Sequence, residues 1–343
     1  MYRVFNSCDD EWNLYLNKLP TYVQDIYYTS EYYKMYELNG DGKGKLFIYY
    51  DIYGNIAFYP FVLREIEGYK LDDKYYDIET AYGYGGPILN CSDGEFMKDL
   101  EECFIDYCKK NNIVAEFVRF HPLIKNEKLL NNNIDIIHNR TTVWLDLTKR
   151  LEEIWDQDII SKNRNMIRKA EKNGLHVEES KDFETFNKIY NSTMNKVHAD
   201  SYYYFNDSYY ETIKDNNNYI LLNVKKDNLV IASAIFMGYG DYFHYHLAGS
   251  LKEYLKFAPN NLLLWEAIKY AQKKGYKKMH FGGGLTNSIE DNLFKFKSSF
   301  SKECADFYIG KRIHNQEVYD YLIRKWEEKN NEKAKILLQY RAK

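Results

Sequence analysis

Five basic side chains crowd the segment SKNRNMIRKAEKNGL (161–175): Lys162, Arg164, Arg168, Lys169 and Lys172. On a helix, Arg164 and Arg168 stand four residues apart, and Lys172 falls one turn further along the same stripe. Such a row suits the phosphates of an RNA; a solvated helix face is the plain alternative. His244 and His246, in FHYHLAGS (243–250), have a spacing that suggests metal ligands. No carboxylate or thiolate cluster accompanies them, so no metal is expected, while a histidine acting as proton acceptor stays open. Period-two alternation sends Phe243, Tyr245 and Leu247 to one face and the two histidines to the other. Cys8, Cys91, Cys103, Cys108 and Cys304 are odd in number and contain no Cys-x-x-Cys pair. They read as thiols in a reducing compartment rather than a disulfide framework.

At 343 residues the chain is long enough for two domains, and 45% hydrophobic residues can give each a core. Five Pro and 18 Gly are too few for a disordered or fibrous chain. The 35 tyrosines fit either an AT-rich coding sequence or a surface that stacks on sugars or bases. No run approaches the ~18 apolar residues of a membrane span. The opening MYRVFNSCDDEWNLYL places acids where a signal peptide carries basic residues. A cytoplasmic protein that does not span a membrane is therefore expected. Residues 1–150 hold 17 Lys and Arg against 24 Asp and Glu, and residues 151–343 hold 30 against 26. An anionic partner would dock more readily on the second half.

The elements that must position these side chains recur in the same order in each half. KLFIYYDIYGNIAFYPFVL (45–63) and YILLNVKKDNLVIASAIFM (219–237) are hairpin signals around Tyr53-Gly54-Asn55 and Lys226-Asp227-Asn228. Each is followed by a third strand, KYYDIETAYGYGGP or DYFHYHLAGS, and then by an amphipathic helix ending in Lys-Lys. The helices carry Phe96, Leu100, Phe104 and Tyr107, or Leu262, Trp265, Ile268 and Ala271, at helical spacing. Each then turns into a short strand, IVAEFVRF or KKMHFGG. Between the halves, TTVWLDL reads as a strand, and Thr148 is positioned to cap one helix carrying Leu151, Ile154 and Trp155. The boundary is expected near 150, giving domains 1–150 and 151–343, with a charged amphipathic C-terminal helix in the second. No glycine-rich nucleotide loop leads the first strand, which argues against a classical dinucleotide fold. The fold class expected is α/β (α+β) with mixed sheets flanked by helices, in the order of a GNAT-type acyltransferase core.

Several strings, taken in order, resemble the Fem family, the bacterial transferases that add amino acids from aminoacyl-tRNA to the peptidoglycan stem peptide. They are AYGYGGPIL (81–89), RFHPL (119–123), SKNRNMIRKAEKNGL, FHYHLAGS, APNNLLLWEAIKYAQKKGY (258–276), and FGGG with LFKFKSSFS (281–284, 293–301). The resemblance covers roughly residues 25–310 and implies two fused GNAT-like domains with a cleft between them. It implies that Lys297, after Phe296, lies at the reaction centre, where a fixed ammonium can stabilise the oxyanion formed when an amine attacks an ester. The residue-level alternative is a solvated lysine beside Lys295. Tyr245 falls where the family places a substrate-contacting tyrosine, with a plain core tyrosine as the alternative. Lys196 stands where family members commonly have an arginine on the acceptor's diphosphate; lysine lacks that bidentate fork. Tyr84 with its Gly-Gly-Pro turn, Lys34 and Asn260 are further candidate substrate contacts. The basic row then becomes a tRNA contact.

The loop KFAPNNLLL (256–264) has no glycine, and Pro259 removes a backbone donor. Acetyl-CoA enzymes of this fold use a glycine-rich loop there to approach the pyrophosphate. The first reading is therefore transfer of an aminoacyl group from aminoacyl-tRNA to a UDP-linked muropeptide or other amine. An acyl-CoA-dependent N-acyltransferase acting on an amino sugar stays open, as does a non-catalytic binding protein of the same fold. Transfer is expected to be direct, with no covalent acyl-enzyme and no cofactor.

Overall fold

The computed structural model describes residues 1–130, 134–196 and 204–342. The strands are β1 Tyr2–Asn6, β2 Lys43–Tyr50, β3 Ile56–Glu65, β4 Tyr76–Glu79, β5 Ile88–Leu89, β6 Ile113–Arg119, β7 Asp135–Asp146, β8 Leu175–Ser180, β9 Tyr219–Lys226, β10 Leu229–Tyr239, β11 Tyr242–Ser250, β12 Lys278–Gly282 and β13 Cys304–Ile313. The α-helices are α1 Glu11–Leu16, α2 Ser30–Leu38, α3 Gly94–Lys110, α4 Leu151–Glu153, α5 Ser161–Lys172, α6 Phe183–Lys196, α7 Asp207–Lys214, α8 Pro259–Lys273, α9 Asn292–Ser298 and α10 Gln316–Asn330. They fall into two compact units, Met1–Asn139 with Asp306–Lys343, and Arg140–Ala305.

In the first unit the strands run β1-β2-β3-β4-β6-β13, with β5 on β3. All neighbours are antiparallel except β4 and β6. The β2–β3 turn closes because the Asp51 carboxylate accepts the backbone N–H of Tyr53 and Asn55 while Gly54 takes a φ of +88°. Asp93 caps α3, whose Phe96, Leu100, Phe104 and Tyr107 pack on Phe47, Tyr59 and Phe61 of the sheet. The third strand stops at Glu79, well before the sequence suggested. Gly83 and Gly86 adopt φ of +97° and +84°, and the Asn126 amide donates to the Gly85 and Pro87 carbonyls, so the chain turns instead of extending.

The boundary expected near 150 meets a different arrangement, because the chain returns to the first unit at its end. β13 pairs antiparallel with β6, Ile309 opposite Arg119, and Arg312 brings its guanidinium to Glu101 and Glu116 in the interior. The C-terminal segment is also not one helix. α10 ends at Asn330, and the tail folds back so that Tyr340 is buried and Arg341 pairs with Asp77.

The second unit runs β7-β12-β11-β10-β9-β8, with β11 and β12 parallel and the rest antiparallel. α8 joins β11 to β12. Its Leu262, Leu264, Trp265, Ile268 and Ala271 enter a core with Phe236, Phe243 and Phe281. Thr148 does not cap a helix: its hydroxyl donates to Asp146 (2.7 Å). The single helix expected after it is broken into α4, a widened π-type turn at Ile154–Asp158, and α5. Arg164 spans this turn: its Nη1 donates to the carbonyls of Trp155, Asp156 and Ile159 at 2.8–2.9 Å.

A candidate active site in the second unit

β11 and β12 part company midway along. They pair as Tyr242 with Lys278, Phe243 with Met279 and His244 with His280, and no further. β11 stays with β10 but shifts register there: Phe236 faces Tyr245, Ile235 faces Leu247, and His246 is the extra residue of a bulge. The bulge breaks the simple alternation. Phe243 and Tyr245 share the α8-side core as expected, but Leu247 does not belong to that cluster and Ala248 does.

α9 delivers Lys297 to this opening. Its Nζ stands 5.8 Å over the Tyr245 ring, donates to the Gly283 carbonyl at 2.7 Å, and lies 3.4 Å from where a Cβ on Gly282 would be. The side chain is buried, 8% exposed, so the solvated-lysine alternative is excluded. Lys295, two positions earlier, pairs with Glu290 at the surface. Burial brings the Lys297 pKa down to about 7, Asp291 pulls it partly back up, and Arg140 pushes it down. Near neutral pH both forms are populated. With one proton engaged by Gly283, the ammonium keeps two others for a carbonyl oxygen that gains charge.

The neighbouring groups cannot compete for that role. Burial raises the Tyr245 phenol well above its ordinary pKa, so it is a neutral donor. His246 is pushed down to about 3 by burial and then by His244, and its Nε2 meets the Tyr209 hydroxyl at 2.5 Å. It is a neutral imidazole held inside the unit.

Two side chains that the sequence did not single out complete the site. Asp291 caps α9 through the backbone N–H of Leu293 and Phe294, and Arg140 donates to the Gly284 carbonyl at 2.8 Å. The Asp followed by a helical run was the one available signal for the first; nothing marked the second.

Lys297 and Tyr245 therefore meet, and Phe296 beside them turns inward, packing on the core and 5.5 Å from the Phe300 ring. Asn260, in the first turn of α8, donates to Ser250 Oγ at 3.3 Å, and Ser250 N–H donates to Thr193 of α6. Lys196 is exposed in the last turn of α6. On α5, Lys162, Arg168, Lys169 and Lys172 are exposed, whereas Arg164 is committed to the three carbonyls. In the first unit, Lys34 is exposed on α2, and Tyr84 lies edge-on to Tyr27, His121 and Phe307 at 5.1–5.6 Å. His121 there is not a base: its Nδ1 accepts the N–H of Leu123 and Ile124 while Nε2 faces Asp25 at 2.9 Å.

A family profile for the acetyltransferase (GNAT) domain matches residues 161–296. The UDP-N-acetylmuramoylpentapeptide-lysine N(6)-alanyltransferase of Weissella viridescens is 22% identical over 278 residues, covering 74% of this chain and 82% of that protein. The crystal structure of FemX superposes with a TM-score of 0.71 at 16% identity, over 93% of this chain and 99% of that one. The L-PGS structure from Bacillus licheniformis follows with a TM-score of 0.57 at 13% identity, covering 90% and 92%. Residues 161–296 thus match the GNAT acyltransferase domain, the chain shares the fold of FemX, and the resemblance to the Fem family read from the motifs has a relative in sequence and a neighbour in structure.

Proposed function

We propose that this Fem-type transferase moves an aminoacyl group from an aminoacyl-tRNA to an amine of a UDP-linked muropeptide. The observation that carries the reading is the buried Lys297 ammonium, held against Gly283 in the opening between β11 and β12. The acceptor nitrogen attacks the ester carbonyl, a C–N bond forms, and the carbonyl oxygen becomes an oxyanion beside Nζ. Collapse breaks the C–O bond to the ribose; the amine gives up a proton and the ribose oxygen takes one. Tyr245, neutral and partly buried, supplies a wall and a hydroxyl donor. Lys196, Lys34, Tyr84 and Asn260 are the acceptor contacts of this reading, and Phe296 supports Lys297 from the core side.

Two features support the tRNA donor. Pro259 opens α8 with no N–H, after Ala258 in a left-handed conformation, so that helix start offers a poor cradle for a pyrophosphate. Lys162, Arg168, Lys169 and Lys172 remain exposed on α5 for phosphates. The GNAT match over 161–296 keeps an acyl-CoA donor as the second reading. Among the described residues no helix is long and apolar enough to cross a membrane, and we place the reaction in the cytoplasm. Incubation with charged tRNA or with acetyl-CoA, each with UDP-muropeptide and a panel of amino sugars, separates the readings. A product mass from charged tRNA alone is expected; transfer from CoA alone would overturn the assignment of the donor.

A further inference from the structure

Lys297 is held by a loop that has little packing of its own. Residues 285–290 are exposed, with Leu285 70% and Ile289 66% accessible, so apolar burial does not fix their path. Short turns within the loop shape it, and one carboxylate joins its two ends. Asp291 Oδ1 accepts the backbone N–H of Leu293 at 2.9 Å and of Phe294 at 3.0 Å, and Oδ2 accepts the N–H of Thr286 at 3.2 Å and its hydroxyl at 3.4 Å. Gly284 packs directly on it: a Cβ there would come within 2.5 Å of Oδ1. The carboxylate thus ties the exit of the triple glycine to the start of α9. The preceding carbonyl, Gly283, is the one that receives Lys297 Nζ, and the Gly284 carbonyl is braced by Arg140.

We propose that Asp291 is the positioning residue of the site: by clasping loop 285–290 at both ends it fixes where the Lys297 ammonium stands. The assignment deepens the transfer reading and rests on it for its catalytic meaning, though not for its geometry. Nζ stands over the Tyr245 ring and on the Gly283 carbonyl, and the charges that act on it are the Asp291 carboxylate and the Arg140 guanidinium. Asp291 is the anion among them, and it opposes both burial and Arg140.

Asp291→Asn removes the charge and keeps an oxygen for the cap; Asp291→Ser does the same with a second good capping residue and serves if the first folds poorly. In the full chain, trace acylation of amines followed by peptide mass analysis across pH 5–10 titrates Lys297 without any substrate. The proposal expects its apparent pKa to fall by about half a unit or more in either variant, with the melting transition retained. It also expects the variant-to-wild-type ratio of transfer rates to decline as pH rises from 6 to 8, a ratio from which the acceptor amine's own titration cancels. An unchanged Lys297 titration in a folded variant overturns the proposal. A shifted titration in a protein that transfers nothing from charged tRNA upholds the positioning role and defeats the functional reading instead.

Discussion

Lys297 shows a function working against stability. An unfolded lysine keeps its proton to about pH 10.4, whereas here burial releases it near 7. Between those values the folded chain binds fewer protons than the unfolded one, so stability rises with pH across that window, and below pH 7 the full cost of the buried charge is felt. Lys297→Met is therefore expected to raise stability at pH 6 by on the order of 2–4 kcal/mol, and by less at pH 10, while transfer is lost. Chemical denaturation at the two pH values checks both the sign and the trend. Sequence alone could not supply this. FKFK reads as a surface stretch, and only the family resemblance singled out the second lysine. The depressed pKa arises from burial and from Arg140, partly offset by Asp291, residues 157 and 6 positions away in the chain. Tyr245→Phe, which keeps the ring under Nζ, is expected to cost far less than Tyr245→Ala, which opens the floor of the site; single-turnover rates distinguish them.

At the scale of elements, periodicity located both hairpins, the strands that follow them and both long helices, because these carry clean apolar patterns; it did not mark β1, β8, β13, α2, α6 or α7. It failed where one side chain redirects the backbone. Arg164 looked like one member of a basic row, yet it gathers three carbonyls and closes the turn before α5. The bulge at His246 displaced Leu247 from the face assigned to it, since an inserted residue reverses the alternation beyond it. The row itself therefore divides into two experiments. Replacing Lys162, Arg168, Lys169 and Lys172 with alanine is expected to weaken tRNA binding and lower the slope of log K against log salt by about 3. Arg164→Ala is expected to leave that slope nearly unchanged and to destabilise the fold by about 1–3 kcal/mol, through the orphaned carbonyls. Filter binding across a salt series, with thermal melts alongside, would show which residues touch the nucleic acid.

For the whole molecule, a division into two units was legible from the repeated element order, but which residues make up each was not. The last residues belong with the first unit because β13 carries Arg312 into the interior, beside Glu101 and Glu116. Despite burial, the Arg312 guanidinium and then His314 hold the Glu116 carboxyl down to about 2. A long-range ionic pairing of this kind leaves no periodic mark in a sequence. Arg312→Met would strand the two acids, with an expected loss of about 3–5 kcal/mol in denaturant titration. The account as a whole rests on a cation meeting a developing oxyanion in the second unit. Its most direct measurement is the single-turnover rate of aminoacyl transfer from charged tRNA to UDP-muropeptide by Lys297→Ala. A fall of at least about 100-fold in a protein that still folds and binds both substrates is the predicted result. A rate equal to wild type under the same chemistry-limited conditions would contradict it.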